Sequence, residues 1–459
     1  MLESRPDRFT LRKEYFGGLV YDAAKGKVEL LRPPEYDLLT RLASAEEQMF
    51  ESQFQANPET EKRIKVFKKA GFINVHTTGQ VTLTSVRVIP ALEPLPEGML
   101  TAPIRVFDSV TQFCNFECPQ CYFTSSNRVR EKRRTLEQTV DIMRKFFTVG
   151  TMEWRFTGGE PTTQPDLFDA MSVAKRLGMN LGLYSNGWWS KTIAQKILDA
   201  GLHEIVISIE GRPEINDRRR KPGSFAKAVE SLEKIQEYNQ GKSEGRIKGI
   251  VAAAIGRDNT TEIEFLVKLA AQYGVDINFM PLKPSGRARN TLTGAYLAPR
   301  EYMQFAQQVQ QMREIPEVKN SGIKIILKYK DLFCGDYPDA SDLPFPFNYS
   351  ECGALTTAIS MLPDGRVYSC PFVLDVDPEE EFMGQNMIDV SAYEAWFNPN
   401  FEKYRSPTKV GCTDCGFYMK QCRGACKATV LGHGGQINNG QLLGEDPQCF
   451  ASLMPNDNS

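Results

Sequence analysis

Histidine is scarce in this chain of 459 residues. It occurs only at His76, His203 and His433, which are far apart in the sequence. The sequence therefore does not favour zinc or non-haem iron sites that depend on several imidazole ligands. A metal centre in this protein would have to use other side chains.

An excess of charge of either sign is also lacking. The chain has 55 Lys and Arg against 57 Asp and Glu, so its formal net charge is -2. A protein without a basic field has little attraction for phosphates. We therefore expect no nucleic-acid partner.

Long apolar runs are missing as well. The longest, Ile250 to Ile255, is far shorter than a membrane span, and the segment from Met1 to Arg8 carries charges without the apolar core of a signal peptide. We expect a cytoplasmic protein without membrane contact. Its length suits two or three domains.

Cysteine, by contrast, is abundant, with eleven in the chain. A reducing cytosol disfavours structural disulfides, so cysteines without a secretion signal are more often metal ligands. Soft sulfur ligands indicate zinc or iron-sulfur centres.

The N-terminal region has the pattern of a small winged-helix-like unit. Gly26 is predicted in a turn between two short strands, and Gly71 at the left-handed cap of a helix. Strands are predicted at 18–22, 27–31, 72–76 and 81–89, and helices at about 34–45 and 58–71. Residues 91–103 are rich in proline and predict a linker, which gives a first domain of residues 1–95.

The central region alternates strands with helices. Strands are predicted at 104–110, 152–156, 180–184, 204–209, 247–255 and 276–280. Helical patterns between them indicate parallel strands with crossover helices, hence an α/β fold in the form of a partial (βα)6 TIM-like barrel over residues 96–315. Residues 316–459 are irregular and hold eight of the eleven cysteines, which predicts a region folded around metal.

The strongest motif follows the first barrel strand. Cys114, Cys118 and Cys121 form a C-x3-C-x2-C run, in which three thiolates can hold three corners of a cubane and leave the fourth iron open. The alternative is a zinc site, but structural zinc needs four ligands and no fourth is close in sequence.

This motif resembles the signature of the radical S-adenosylmethionine (SAM) enzymes. The resemblance implies a 4Fe-4S cluster whose open iron chelates SAM and cleaves it to a 5'-deoxyadenosyl radical. Many members have an aromatic residue before the third cysteine, where this chain has Gln120, with Tyr122 following.

Further positions match the family's SAM contacts. By resemblance, the segment Gly158-Gly159-Glu160 binds the methionine end, and polar residues after the third and fourth strands contact the ribose. Arg220 is the candidate for the carboxylate, with Arg219 next to it. The predicted SAM contacts are Gly158, Gly159, Glu160, Ser185, Asn186, Ser208, Glu210 and Arg220. Without the resemblance these would be ordinary turn glycines, polar strand ends and a solvated basic run.

The C-terminal cysteines resemble the SPASM pattern of two auxiliary 4Fe-4S clusters. One interval, from Cys415 to Cys422, is a residue longer than is usual. The resemblance assigns Cys352, Cys370 and Cys426 to the first cluster, and Cys412, Cys415, Cys422 and Cys449 to the second. In isolation, Cys412 to Cys426 would also suit a zinc ribbon.

Cys334 is left over by that pattern. As the fourth ligand of the first auxiliary cluster it would bring the ligands to eleven, which uses every cysteine of the chain in three 4Fe-4S clusters. The alternative is a buried apolar cysteine beside a cluster with an open site.

The N-terminal unit resembles the recognition element of enzymes that modify ribosomally made peptides (RiPPs). A strand edge could pair with an extended leader peptide. The alternative, a DNA-reading winged helix, is disfavoured by the balanced charge.

These features together predict a radical SAM/SPASM peptide maturase. We expect it to modify a leader-bearing precursor peptide by C-H activation, forming a thioether, carbon-carbon or ether crosslink, with an external reductant such as flavodoxin or ferredoxin. Alternatives are a peptide epimerase, a backbone splicease or a formylglycine-forming sulfatase maturase. A non-enzymatic iron-sulfur sensor or electron carrier would not need the predicted SAM contacts.

Overall fold

The structure is a computed structural model that describes residues 7–44, 48–53, 58–327, 353–405, 426–438, 441–444, 446–449 and 453. The N-terminal elements are β1 (Phe9–Glu14), β2 (Gly17–Asp22), β3 (Lys27–Leu31), α1 (Pro33–Ser44), β4 (Met49–Phe50), α2 (Pro58–Ala70), β5 (Ile73–Val75), β6 (Gln80–Leu83) and β7 (Val86–Ile89), with a 3-10 turn at Glu51–Gln53. They form one sheet in the order β3-β2-β1-β7 and another in the order β4-β6-β5.

One predicted strand of this region is wrong in its extent. Residues 81–89 form two strands, β6 and β7, which belong to different sheets. The chain leaves the β4-β6-β5 sheet at Thr84, whose hydroxyl donates to the Gly71 carbonyl, and enters the β3-β2-β1-β7 sheet at Ser85, whose carbonyl accepts from Phe9 N–H. The other predicted strands and both helices agree with the structure to within two residues, and Gly71 has the expected positive φ of 77°.

The central region is a parallel sheet with crossover helices. Its elements are β8 (Arg105–Thr111), α3 (Leu136–Thr148), β9 (Glu153–Gly158), α4 (Leu167–Arg176), β10 (Asn180–Ser185), α5 (Lys191–Asp199), β11 (Glu204–Ser208), α6 (Pro213–Arg219), α7 (Ser224–Asn239), β12 (Lys248–Ile255), α8 (Ile263–Tyr273), β13 (Asp276–Pro281), α9 (Ala288–Thr291), α10 (Pro299–Arg313), α11 (Pro316–Ser321) and β14 (Ile325–Leu327), with 3-10 turns at Pro161–Thr163 and Thr260–Glu262. Strands β8 to β14 lie side by side in chain order, each parallel to the next. This confirms the predicted α/β class with parallel strands.

Apolar residues on one face of these strands form the main core of the protein. On this face adjacent strands each supply a fully buried residue: Trp154, Leu181, Ile207 and Val251. The other face is more polar and carries Glu153 and Arg155 of β9. The carboxyl ends of the strands form one edge of the sheet, so the loops that follow β8, β9, β10 and β11 are neighbours.

The C-terminal region extends the same sheet. Its described elements are β15 (Ala358–Met361), β16 (Arg366–Tyr368), β17 (Met383–Asn386), α12 (Ala392–Trp396), α13 (Pro399–Arg405), α14 (Lys427–Gly432), β18 (Gln436–Asn438) and β19 (Gln441–Leu443). β15 pairs in parallel with β8, and β16 and β17 follow in antiparallel order. The first strand of the barrel therefore has neighbours on both sides.

The N-terminal unit packs on the amino ends of the barrel strands. The Tyr21 hydroxyl donates to Glu153 Oε1 at 2.9 Å, and Arg12 Nη1 donates to the Gly150 carbonyl at 3.0 Å. Tyr21 also joins Leu19, Leu100, Ile104 and Met152 in a buried apolar cluster. The predicted linker is thus packed at its end, since Leu100 is only 1% exposed.

None of the helices in the described part of the chain is long and apolar enough to cross a membrane.

Candidate active site

The cysteine motif lies in the loop after β8, at the carboxyl edge of the sheet. Cys114 N–H donates to the Ser126 carbonyl at 3.2 Å, which closes the loop. Two backbone N–H groups point at sulfur: Phe116 N lies 3.4 Å from Cys114 Sγ, and Ser125 N lies 3.4 Å from Cys121 Sγ. Hydrogen bonds of this kind stabilise cysteine sulfurs as thiolates and tune iron-sulfur clusters.

The electrostatics of the loop fit a cationic cluster. Burial, and then the charges of Glu160 and of the two other thiols, raises the pKa of Cys114 to about 12, against the hydrogen bond from Phe116 N–H. Burial also raises the pKa of Cys118, against the effect of Arg220. Three neighbouring thiolates are costly in such a place unless metal ions compensate their charge, so the donor set suits iron.

Across the residues the structure describes, no three His, Cys, Asp or Glu side chains form a group that could hold one metal ion. In a cubane each cysteine binds its own iron, so its sulfurs need not converge on one point.

Gly158 and Gly159 allow the end of β9 to lie in close contact with the start of the cysteine loop. Gly159 N–H donates to the Thr111 carbonyl at 2.6 Å, and Glu160 N–H donates to the Phe113 carbonyl at 2.9 Å. A Cβ at Gly158 would lie 2.2 Å from the Thr111 oxygen, and one at Gly159 would lie 2.1 Å from the Phe113 oxygen. Only glycine permits this approach.

The buried carboxylate of Glu160 connects the end of β9 with the end of β10 by hydrogen bonds, close to the cysteine loop. It accepts hydrogen bonds from Ser185 Oγ at 2.9 Å, Asn186 N–H at 2.7 Å and Thr162 Oγ1 at 2.7 Å. Burial raises its pKa and these donors lower it. Asn186 Nδ2 in turn donates to Asn115 Oδ1 at 2.8 Å, inside the cysteine loop. The structure therefore brings the predicted residues Glu160, Ser185 and Asn186 together.

Arg220 and Glu210 also lie next to the cysteine loop. Arg220 Nη1 lies 2.9 Å from Glu210 Oε1, which also accepts from Gln120 Nε2 at 3.2 Å. Arg220 Nε is buried and has no hydrogen-bond partner among the described residues. An unmet donor next to three cysteines fits the carboxylate of a ligand.

Arg219 also lies near Glu210, at 3.7 Å, and its Nε and Nη2 are buried without a hydrogen-bond partner among the described residues. It donates to the Ala254 carbonyl at 2.7 Å and lies 3.6 Å from Asp258. Arg220 is favoured as the ligand contact because it lies close enough to Cys118 to lower the pKa of that thiol. Ser208 ends β11 at the same edge of the sheet.

Arg287 is a residue of this site that the sequence patterns missed. Its guanidinium donates to the carbonyls of Cys118 and Ser125, the second at 2.7 Å, and its N–H donates to the Cys121 carbonyl at 2.9 Å. Gly286, with φ of 59°, lets the chain come this close, since a Cβ there would lie 2.3 Å from the Cys121 oxygen. Contacts to backbone carbonyls leave no motif, so the only signal was a glycine after β13.

The described C-terminal cysteines are Cys370, Cys426 and Cys449; the predicted ligands Cys334, Cys352, Cys412, Cys415 and Cys422 lie outside the described residues. Cys370 is buried near the first motif, because the rings of Tyr122 and Phe372 are 4.7 Å apart. Lys283 Nζ donates to Thr429 Oγ1 at 2.9 Å, which joins the barrel to the helix that starts after Cys426.

Comparison with known proteins agrees with this geometry. Residues 109–270 match the model of the Radical SAM superfamily. The chain contains a radical SAM domain. Enzymes of this superfamily use a 4Fe-4S cluster and SAM, and the prediction of a radical SAM enzyme is confirmed.

The radical SAM domain is part of a longer similarity. Mycofactocin maturase MftC of Mycolicibacterium smegmatis is 27% identical over 376 residues, which are 80% of this chain and 88% of that protein. The crystal structure of Streptococcus suis SuiB bound to precursor peptide SuiA has a TM-score of 0.68 at 15% identity and covers 98% of this chain and 99% of that chain. Native anSMEcpe with bound AdoMet and Cp18Cys peptide has a TM-score of 0.58 at 15% identity and covers 76% of this chain and 94% of that chain. At these identities the two structures show a shared fold.

Proposed function

We propose that this protein is a radical SAM maturase that modifies a ribosomally made precursor peptide by C-H activation. The observation that carries the radical chemistry is the convergence of the cysteine loop, the Gly158-Gly159-Glu160 segment and Arg220 at one edge of the sheet. The peptide substrate is supported by the likeness to a mycofactocin maturase and to SuiB, which was crystallised with its precursor peptide.

The residues of the chain divide the work of binding SAM. Arg220 offers a buried donor to the carboxylate, and the backbone of Gly158 to Glu160 takes the methionine end. Ser185, Asn186, Ser208 and Glu210 are our candidates for the contacts near the ribose. When bound, SAM and its cluster supply a carbon radical that abstracts a hydrogen atom from the peptide.

The product we favour is an intrapeptide crosslink through a thioether, carbon-carbon or ether bond. Such a crosslink removes two hydrogen atoms from the peptide, so after the first has been abstracted the second must leave as one proton, released to solvent, and one electron. The two auxiliary clusters of the C-terminal region are the proposed acceptors of that electron. Their proposed ligands are Cys334, Cys352, Cys370 and Cys426 for the first, and Cys412, Cys415, Cys422 and Cys449 for the second.

The N-terminal unit is the proposed site for the leader of the precursor. Among the described residues, β3 lies at the edge of its sheet and pairs with β2 on one side only. Arg63 Nη2 donates to the Leu30 carbonyl at 2.9 Å, so this carbonyl points away from β2. An extended leader could add to that edge by main-chain hydrogen bonds.

Two assays test this function. Anaerobic reconstitution of the full chain should give about twelve irons as three 4Fe-4S clusters, and dithionite should then drive formation of 5'-deoxyadenosine. The triple variant Cys114→Ala, Cys118→Ala, Cys121→Ala should lose SAM cleavage and about four irons. Nucleoside formed by the triple variant would contradict the radical SAM assignment.

The substrate is tested separately. A short peptide encoded beside the gene should lose two hydrogen atoms in mass spectrometry after incubation with enzyme, SAM and reductant. An unchanged mass accompanied by hydrogen exchange at an α-carbon would instead support an epimerase. No change in any neighbouring peptide would contradict the peptide substrate while leaving SAM cleavage intact.

A further inference from the structure

A short basic segment follows the cysteine loop directly. Residues 127–134 read Asn-Arg-Val-Arg-Glu-Lys-Arg-Arg and hold five cations against one acid, in a chain whose net charge is -2. Four of the cations are exposed, and we call them the basic loop: Arg128, Arg130, Lys132 and Arg133. The segment contains neither helix nor strand.

Two inward-facing residues hold the basic loop in place. Glu131 turns inward, where its carboxylate accepts from the Thr111 hydroxyl and from Gln112 N–H, the second at 2.6 Å. Arg134 also turns inward and forms a buried ion pair with Asp108. Because Glu131 and Arg134 are fixed to β8 and its end, the remaining cations are held at the surface.

The basic loop borders the cysteine loop. Arg128 forms an ion pair with Glu117, which stands between Cys114 and Cys118, yet the Arg128 side chain remains 77% exposed. The exposed Lys221 also borders the cysteine loop, since its Nζ lies 5.6 Å from the centroid of the Phe116 ring. Exposed cations from two segments of the chain therefore lie next to the cysteine loop.

We propose that the basic loop is the docking site of an acidic one-electron carrier protein of the flavodoxin type. The proposal rests on the proposed function, because only a redox centre at Cys114, Cys118 and Cys121 needs an electron at this place. In the transfer the reduced flavin loses one electron and the centre gains it, with no bond made or broken. Electron transfer requires close approach, and complementary charge speeds and orients such encounters.

Charge reversal tests the site. The triple variant Arg130→Glu, Lys132→Glu, Arg133→Glu alters exposed side chains that touch neither the cysteines nor the SAM contacts. At low ionic strength its dissociation constant for flavodoxin should rise at least about tenfold, and its reduction by flavodoxin should slow accordingly. SAM cleavage driven by dithionite, which needs no docking, should stay at the wild-type rate.

A matched control separates local docking from overall charge. Lys62→Glu, Lys65→Glu, Lys69→Glu makes the same change in net charge on the exposed face of α2, in the N-terminal unit. This control should bind flavodoxin within about twofold of wild type. The proposal would be overturned if both triple variants bound flavodoxin equally weakly, or if the variant of the basic loop bound it as tightly as wild type. If the wild-type protein does not cleave SAM with dithionite as the reductant, the proposed function itself is contradicted.

Discussion

The guanidinium of Arg220 lies between Glu210 and the cysteine loop, with one nitrogen bonded and another unmet. A buried donor left without a partner costs about 1–3 kcal/mol. The geometry is therefore suited to an anion that arrives with the ligand. The planar fork of arginine can hold Glu210 and a second carboxylate together, which a lysine ammonium does less well.

Arg220→Lys should accordingly weaken SAM binding about tenfold while iron content stays unchanged. Equilibrium dialysis of SAM against anaerobically reconstituted protein measures this. Arg212→Lys is the control: Arg212 precedes α6, its half-exposed side chain pairs with the buried Glu262, and the variant should bind SAM normally. Unchanged affinity in Arg220→Lys would remove Arg220 from the SAM site.

His203 gives a second prediction, this one on stability. Its Nδ1 accepts a hydrogen bond from Leu181 N–H at 3.1 Å, which a protonated ring nitrogen cannot do. Burial, and then the charge of Arg155, lowers its pKa to about 4. The unfolded histidine titrates near 6.5, so between these values only the unfolded chain takes up the proton, and stability falls as pH falls by up to about 3 kcal/mol.

His203→Asn retains an acceptor near the Nδ1 position but does not titrate. Urea unfolding from about pH 7.5 to about pH 4.5 should therefore show a shallower loss of stability in this variant than in the wild type. Both proteins share every other titrating group, so the difference isolates His203. Parallel curves would contradict the prediction.

At the scale of elements, the end of β9 and the cysteine loop act as one unit because the glycines allow two backbone hydrogen bonds between them. Gly159→Ala would place a Cβ 2.1 Å from the Phe113 oxygen, and a backbone atom can yield only if the loop moves. We expect this variant to fold but to lose iron from the first cluster and to bind SAM poorly.

Gly294→Ala is the matched control, since a Cβ there meets nothing within 4 Å. Iron analysis after gel filtration, together with SAM dialysis, distinguishes the two variants. Full iron retention in Gly159→Ala would show that the close approach is not needed to hold the loop.

The edge of β3 supports a second test at the scale of elements. Leu30 directs its carbonyl away from β2, so Val28, two residues earlier, directs its N–H the same way. Val28→Pro removes this outward donor and leaves the pairing with β2 intact. Affinity for the leader peptide should fall several-fold, while dithionite-driven SAM cleavage should be unchanged. Equal leader affinity in Val28→Pro and wild type would place the leader elsewhere.

The strands and the first cysteine motif could be predicted from sequence because each depends on local pattern. Short strand-like segments separated by helical patterns predicted β8 to β13, and the C-x3-C-x2-C spacing located the cluster loop. The division of residues 81–89 between two sheets could not be predicted from the sequence, because it depends on which distant strand each half pairs with. Arg287 was missed for a similar reason: its partners are carbonyls far away in the chain.

For the whole molecule, the buried contact between the N-terminal unit and the barrel predicts coupled unfolding. All four tryptophans, at 154, 188, 189 and 396, lie outside the N-terminal unit. Tyr21→Phe removes a hydrogen bond to the carboxylate of Glu153, and should lower the stability reported by tryptophan fluorescence by about 2 kcal/mol.

The control is Tyr393→Phe, whose side chain is exposed, and it should leave the transition within about 0.5 kcal/mol of wild type. If Tyr21→Phe leaves the tryptophan transition unchanged, the two units unfold independently. A shift in a circular dichroism transition of the N-terminal strands alone would give the same answer.

The pairing of β15 with β8 bears on how the protein is made. The ribosome delivers β8 and its cysteine loop early, yet the strand that covers the outer edge of β8 emerges only after the rest of the parallel sheet. Until then the nascent chain presents an open strand edge, which is a template for wrong pairing. Correct closure of this edge is thus a late step, which comes after the synthesis of every residue that surrounds the cysteine loop up to Arg287.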